Sequence, residues 1–309
     1  MLELMTKLLD VKKVNQILGT ISEIPYGPYR VQIGLQLRES ILVNGMLFNS
    51  EAWSSISNKE LVRMEQVDYS LLRALQGGGH SKCGTEFLLL EFGVIKLRHT
   101  IMKRRMMFHH HILTRNENET IKKVYLKQMK THCKGDWYRT LLEDFDFIKE
   151  EKNDEEIVKM NKYCYKKKVY AKIKKAAFLS YIERKENKLE KLDKLEYKKL
   201  ETQQYLNSKY FGKKEVLLMS LLRSKCHQSK DNFRKMNKKN MKCSLGCDSI
   251  ETQYHIFEQC APVIDQLRLK ESIKLDKIYG TLEEQKSIIQ SLIQIDDSRK
   301  QLIEKRSQL

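Results

Sequence analysis

Four side chains in the C-terminal third of the chain have the types and spacing of a metal-binding motif. The pattern C-x3-C-x7-H-x4-C is formed by Cys243, Cys247, His255 and Cys260. Thiolate sulfur and imidazole nitrogen are the ligands that zinc prefers, and four of them close a tetrahedral structural site. Gly246 allows a tight turn between the first two thiols. The pattern therefore predicts zinc as a cofactor of this chain.

Buried free cysteines are the alternative interpretation of the same motif, because a free thiol packs as a small apolar side chain. That alternative does not account for three cysteines and a histidine within eighteen residues of Lys-rich, polar sequence. A redox pair is not indicated, since Cys243 and Cys247 lack the C-x-x-C spacing of such pairs.

The other cysteines indicate the compartment. Cys83, Cys133, Cys164 and Cys226 are scattered without a framework of spacings, which is typical of a reducing environment. The N-terminal sequence lacks a basic segment followed by an apolar one, so we expect no signal peptide. No apolar run approaches the roughly 20 residues of a membrane span. We expect an intracellular protein, nuclear or cytoplasmic, with no membrane contact.

Positive charge is concentrated in one part of the chain. The whole sequence has 58 Lys and Arg against 40 Asp and Glu, a net charge of +18. Residues 159–242 contain 26 of the basic residues and only 8 of the acidic ones, so the excess lies there. Seven of the fourteen tyrosines fall in the same stretch. Basic side chains interleaved with aromatic ones favour RNA or DNA as a partner. A solvated, lysine-rich helix face remains the alternative.

The predicted nucleic-acid contacts lie on two helical segments. Lysine and arginine would contact phosphates, and tyrosine would stack on bases. The residues are Lys103, Arg104, Arg105, Lys166, Lys167, Lys168, Lys172, Lys174, Lys175, Tyr165 and Tyr170.

The elements that must position these groups are predicted to be helices. The chain has only three prolines, and neither proline nor glycine occurs between Gly135 and Gly212. The fold class is therefore mainly α: a multi-helix bundle, a long basic helical segment and a small Cys-Cys-His-Cys zinc knuckle. We place the boundaries at 1–150 for the bundle, 151–240 for the basic segment, 241–262 for the knuckle and 263–309 for the C-terminal helices.

Local signals mark several helix ends in the first half. Residues 30–48 fit both strand and helix periodicity, and we favour helix. Ser57 and Glu60 form a capping box at the start of a helix that the triple glycine after Gln76 ends. Thr85 is predicted to cap a short helix that stops at Gly93.

A longer helix over 97–112 carries His109, His110 and His111. Adjacent helical residues point about 100° apart, so these three imidazoles are predicted to face solvent or to pack singly rather than to share a metal.

Helices also dominate the second half of the sequence pattern. We expect one or two long helices over 153–207 and another over 213–224, followed by a basic linker into the knuckle. After Pro262, two helices are predicted, over about 263–279 and 281–307.

The order of these segments resembles a known family. The segments are RESILVNGMLFNSEAW at 38–53, LEFGVIKLRHTIMKRRMMFHHHIL at 90–113, KGDW at 134–137 and LLRSKCHQSKDNF at 221–233, followed by the knuckle with its ETQYH core at 251–255. This order is similar to the region C-terminal to the polymerase active site in reverse transcriptases of non-LTR (LINE-type) retrotransposons. The resemblance implies that 1–150 is a thumb-like or connection region, and that the parent binds template RNA and target DNA.

The chain departs from that family where catalysis would occur. The family's polymerases hold two metal ions with palm aspartates, one pair of them in an aromatic-x-Asp-Asp turn. The only Asp-Asp here is Asp296-Asp297, in a predicted helix. Some members of that family carry a nuclease after the knuckle, and its carboxylate motif does not occur in the residues after Cys260. We therefore expect no catalytic residue and no enzyme activity in this chain. We expect instead a non-catalytic nucleic-acid-binding portion, whose further partners could be the missing polymerase domains. A purely structural or protein-interaction role with a zinc staple is the alternative.

Overall fold

The chain is mainly helical, as its composition predicts. The computed structural model describes residues 16, 19–21, 23–54, 56–78, 83–131, 133, 135–188, 195–229, 241–268 and 273–308. Its principal helices are α1 Pro28–Leu37, α2 Asn58–Leu75, α3 Thr85–Phe92, α4 Leu97–Leu113, α5 Thr120–Thr131, α6 Trp137–Phe147, α7 Asp154–Lys159, α8 Lys162–Lys188, α9 Lys213–Arg223, α10 Ala261–Leu267 and α11 Leu282–Ser307. Within the described ranges there is no β-strand, and two isolated bridges join Phe92 to Thr202 and Lys242 to Ile250.

The ambiguous segment near the N-terminus is helical. After α1 the chain continues through a π-helical turn, Arg38–Val43, and a helical turn, Asn44–Met46. Arg38 is buried there and donates to both carboxylate oxygens of Asp68 in α2, at 2.5 and 2.7 Å. This bidentate ion pair fixes the end of α1 against α2.

The capping box predicted at Ser57 is confirmed. The Ser57 hydroxyl accepts from the Glu60 amide at 3.2 Å, and Glu60 accepts from the Ser57 amide at 3.3 Å. Together they satisfy two amides that the first turn of α2 would leave unpaired. The helix ends before Gly77 and Gly78, which both have positive φ, whereas Gly79 lies outside the described residues.

The start of α3 differs by one residue from the prediction. Gly84 takes the N-cap position, and Thr85 is the first helical residue. The Thr85 hydroxyl donates to Glu86 instead of capping the helix, at 2.9 Å. The helix stops at Gly93 as predicted. A Cβ atom at Gly93 would lie 2.3 Å from the backbone of Glu201, and its φ is +65°, so only glycine fits this crossing.

Helices α4 and α8 pack against each other through the middle of the molecule. Met106 of α4 and Ile173 and Ala177 of α8 are fully buried. Tyr181 of α8 accepts from the Lys96 amide just before α4, at 2.8 Å. The contact brings two basic segments together that lie about sixty residues apart in the sequence.

The long helix does not reach 207, so the prediction for 153–207 needs correction. The short helix α7 precedes α8, and residues 195–203 are not helical. The Gln203 amide donates to the Glu91 carbonyl at 2.8 Å, so this stretch pairs with the end of α3. Residues 189–194 of the predicted span lie outside the described residues.

The C-terminal part also has shorter helices than predicted. Helix α10 ends at Leu267, and residues Leu275–Tyr279 of the expected helix over 263–279 form a 3-10 turn. Residues 269–272 lie outside the described part. Helix α11 matches the predicted 281–307, and it packs against both α9 and α10. A capping box of Thr281 and Glu284 begins it. Of the predicted basic linker, residues 230–240 lie outside the described part.

Candidate metal centre and basic groove

A short hairpin positions the first two cysteines of the motif. The Cys243 amide donates to the Ser249 carbonyl at 2.9 Å, and the Glu251 amide donates to the Met241 carbonyl at 2.8 Å. Gly246 makes the turn with a φ of +91°. This backbone geometry carries Cys247 back toward Cys243.

The other two ligands follow from a tight helical turn. His255 begins a π-helical turn that ends at Gln259, and the His255 amide donates to the Thr252 hydroxyl at 2.9 Å. Cys260 is the N-cap of α10, and its carbonyl accepts from Val263 and Ile264. The turn places His255 and Cys260 on the side that faces the hairpin.

The four predicted ligands converge. Their ligand atoms lie within 4.8 Å of one another. The Cys260 sulfur is 3.8 Å from the Cys243 sulfur and 3.9 Å from the Cys247 sulfur. In a tetrahedral zinc site with Zn–S bonds of about 2.3 Å, two sulfurs are about 3.8 Å apart. The cluster therefore has the dimensions of a zinc site.

His255 supplies a second indication of a metal. Its side chain is buried, with 3% exposure, yet neither ring nitrogen has a hydrogen-bond partner in the protein. Buried imidazole nitrogens are normally satisfied, because an unpaired one costs free energy. A metal bond to one nitrogen removes part of that cost. The Cys/His set therefore fits zinc by both distance and chemistry.

The electrostatics of the thiols are compatible with a bound cation. Burial raises the pKa of Cys260 and of Cys247; Cys243 raises both further, whereas the hydrogen bond with Cys260 partly offsets the rise at Cys247. Burial lowers the pKa of His255, which favours the neutral imidazole that binds metal. The neighbouring Lys242 stabilises the thiolates little, because its ammonium pairs with Asp248 at 2.9 Å. A bound zinc ion would stabilise the thiolates directly.

The centre is fixed to α11 by a buried ion pair that the sequence did not reveal. Glu251 accepts from Arg299 at 2.7 Å and from the Ser244 amide at 2.7 Å. Arg306 donates to the Ser244 carbonyl at 3.1 Å. The signal for these contacts is weak in a sequence, because about fifty residues separate the partners.

Several predicted nucleic-acid contacts are occupied inside the protein. Arg105 is buried and donates to Asp144 at 2.7 Å, and Tyr165 is buried with its ring stacked on His110 at 5.1 Å. Both assignments are corrected, since neither side chain reaches the surface. Arg104 is half-buried and donates to Asn44 at 2.5 Å and to the Leu47 carbonyl.

The lysines of α8 divide into paired and unpaired groups. Lys168 pairs with Glu156 at 2.9 Å, and Lys172 pairs with Glu150 at 2.5 Å. Lys166, Lys167 and Lys175 are exposed. Within the described residues these three have no acidic partner, and neither does the half-buried Lys174. The unpaired group keeps its charge available to an anion.

One groove is lined by Lys103 of α4 and by four residues of α8, which are Tyr163, Lys166, Lys167 and Tyr170. Its volume is about 540 Å³. We call this feature the basic groove. Its remaining walls come from the end of α1, the turn Gly93–Ile95 and Thr100. Tyr163 was not predicted as a contact, although its position seven residues before Tyr170 on a helix places both on one face.

The three adjacent histidines do not form a metal site. His109 is 3.0 Å from the Tyr125 hydroxyl, His110 is 3.0 Å from the Met160 carbonyl, and His111 accepts from Arg115 at 3.2 Å. The prediction that they pack singly is confirmed. Among the described residues, the Cys/His cluster is the one group of three or more potential ligands close enough to share an ion.

Comparisons with known proteins return no relatives: no family model matches the chain, and neither a curated protein nor a solved structure does so. In the part that the structure describes, we also find no helix with the length and apolarity that crossing a bilayer requires.

Proposed function

We propose that this chain is a non-catalytic nucleic-acid-binding protein whose C-terminal module is ordered by one zinc ion. The observation that carries the proposal is the group of exposed, unpaired lysines on α8, in the stretch that holds the chain's whole charge excess. Phosphate contacts need such free ammonium groups, because a lysine already paired with a carboxylate gains less from an anion. Zinc at the Cys/His cluster would hold the knuckle against α11.

The family resemblance refines this proposal. In that interpretation, the chain corresponds to the part of a LINE-type reverse transcriptase that follows the palm, with 1–150 as a thumb-like bundle and 151–240 as a basic helical segment. It would hold the backbone of RNA or DNA and catalyse nothing itself. A primer-extension assay tests the last point: the purified chain should extend no primer at any magnesium concentration, and extension that survives repurification would contradict it.

Binding across a salt series tests the nucleic-acid function directly. Each phosphate contact on a single strand releases counterions and contributes a slope of about −0.7 to the plot of log affinity against log salt. With about five contacts, a fourfold rise in salt should weaken binding roughly a hundredfold. A flat plot, or no binding at low salt, would contradict the proposal.

One observation favours a protein partner as the second candidate. Four large apolar side chains in and just after α1 are exposed: Tyr29, Ile33, Ile41 and Phe48. They lie within one stretch of twenty residues, and a contiguous apolar patch is what marks a protein contact surface. If the salt series shows no binding, a structural protein with a zinc staple and a protein partner becomes the better description.

A further inference from the structure

We propose that the basic groove binds a segment of single-stranded nucleic acid, with a base stacked on Tyr163 or Tyr170 and phosphates on the surrounding lysines. This inference rests on the proposed function and deepens it by naming the site and the strand form. A volume of about 540 Å³ lies within the range of about 300–1,000 Å³ that small-ligand sites occupy.

Helical spacing builds one wall of the groove from α8. Tyr163, Lys166, Lys167 and Tyr170 stand at positions i, i+3, i+4 and i+7, so their side chains share one face. The two rings are two turns apart, about 10 Å along the axis. Two lysines between two aromatic rings provide alternating sites for phosphate and base.

The opposite wall adds a third ammonium group. Lys103 of α4 is half-buried, and its nitrogen lies 5.0 Å from the centre of the Tyr170 ring. Burial lowers the pKa of Lys103, Glu39 opposes that effect, and the charges of Lys166 and Arg104 add to it. The site therefore holds like charges close together, and an anion in the groove would relieve their repulsion.

Acidic groups do not neutralise the lysines of the basic groove. Glu39 is the one carboxylate that lines the groove. Arg38 is engaged by Asp68 inside the protein, so its charge is already balanced. Three lysines thus face one carboxylate, and the groove keeps a net positive charge that complements a phosphate backbone.

Exposure of the rings favours a single strand. Tyr163 is 74% exposed and Tyr170 is 41% exposed, so both rings present aromatic surface to solvent. In a duplex the faces of the bases are covered by their neighbours, whereas an unpaired base offers its face for stacking. The rings therefore select an unpaired base, and the lysines alone would not.

The first test compares ring variants. The full chain is titrated with a labelled thymine oligonucleotide, a uracil oligonucleotide and a duplex of the same length. We expect both single strands to bind more tightly than the duplex. Tyr163→Ala should weaken single-strand binding roughly five- to hundredfold without changing the salt slope. Tyr29→Ala is the matched control, because Tyr29 is 69% exposed and lies outside the groove.

The second test compares lysine pairs of equal charge. Lys166→Gln with Lys167→Gln should reduce the magnitude of the salt slope by about 1.4. Lys274→Gln with Lys277→Gln removes two exposed lysines outside the groove and should leave the slope unchanged. Photocrosslinking with a bromouracil oligonucleotide should attach it at Tyr163 or Tyr170.

The outcomes separate this proposal from the one it rests on. If the unmodified chain binds with a salt-dependent affinity but Tyr163→Ala behaves like Tyr29→Ala, the groove is overturned and nucleic-acid binding stands. The proposed binding site would also be wrong if the duplex bound as tightly as the single strands, or if crosslinks formed only outside the groove. If the unmodified chain binds no probe at low salt, both proposals fail.

Discussion

At the scale of single residues, the buried Cys/His cluster is an arrangement that a cation would stabilise. Cys243 and Cys260 are buried, and three thiolates within about one zinc coordination sphere would repel one another without a counter-charge. Without metal, the interior would hold three crowded thiols and an imidazole with two unpaired nitrogens. A bound zinc ion would replace these unfavourable groups with four bonds, as in a structural site.

The first prediction concerns the ligands. Purified protein should contain one zinc ion per chain, and Cys260→Ser should lose it, because three remaining ligands bind a structural zinc weakly. Metal analysis gives the stoichiometry. Cys164→Ser is the control, since Cys164 is an exposed free cysteine and its loss should leave the zinc content unchanged. Zinc content near zero in the unmodified protein would contradict the assignment.

A second residue-scale feature is the polar contact between His227, at the start of the linker, and Asp296 of α11. Asp296 accepts from His227 at 3.0 Å and from Lys300 at 2.5 Å. Burial alone would raise the pKa of Asp296, but these partners outweigh it and lower the pKa to about 2. The folded protein therefore binds a proton at this carboxylate less readily than the unfolded chain does.

The second prediction follows from the sign of that shift. The unfolded pKa is about 3.9, so the stabilisation is fully present above about pH 4 and is lost as the pH falls toward 2. Asp296→Asn should lower the free energy of unfolding at neutral pH by about 2 kcal/mol and flatten its acid dependence. Urea unfolding at several pH values measures both. Asp297→Asn should change little, because that neighbour is half-exposed and 4.0 Å from Lys214.

At the scale of elements, the sequence predicts what depends on neighbours in the chain. The capping box at Ser57 and the stop at Gly93 follow from groups within a few residues, and both were predictable. The absence of helix over 195–203 was not predictable, because the end of α3, about a hundred residues away in the sequence, pairs with this stretch. Arg105 and Tyr165 were misassigned for the same reason, since their burial depends on Asp144 and His110.

The third prediction tests the local signal. Ser57→Ala should lower the free energy of unfolding by about 1 kcal/mol, because the amide of Glu60 in the first turn of α2 loses its partner. Thermal or urea unfolding is the measurement. Ser70→Ala removes an exposed serine from the interior of the same helix and should be neutral or slightly stabilising, since alanine is the better helix former. Equal effects of the two changes would contradict the capping role.

At the scale of the whole molecule, the module that carries the Cys/His cluster is part of one continuous core. Cys243, Ile256 and Phe257 belong to the same buried cluster as Leu72 and Leu97 of the N-terminal helices. The connection runs through α11, whose Ile289, Leu292 and Ile295 are buried. The predicted 241–262 boundary rests on ligand spacing alone, which contains no information about how the module packs against α11.

The last prediction concerns removal of zinc from the intact chain. Hydrogen exchange should accelerate at 241–268 and in the last turns of α11, because Glu251 and Ser244 then lose the backbone geometry that engages Arg299 and Arg306. Helices α2 and α4 should keep their protection, since Arg38–Asp68 and Arg105–Asp144 are independent of the centre. Mass spectrometry of exchanged peptides, before and after chelation, locates the change.

Added zinc should restore protection and added magnesium should not, because magnesium prefers oxygen ligands to thiolates. Uniform loss of protection across all helices would mean that the metal holds the entire fold. Unchanged exchange at 241–268 would mean that packing alone orders the knuckle.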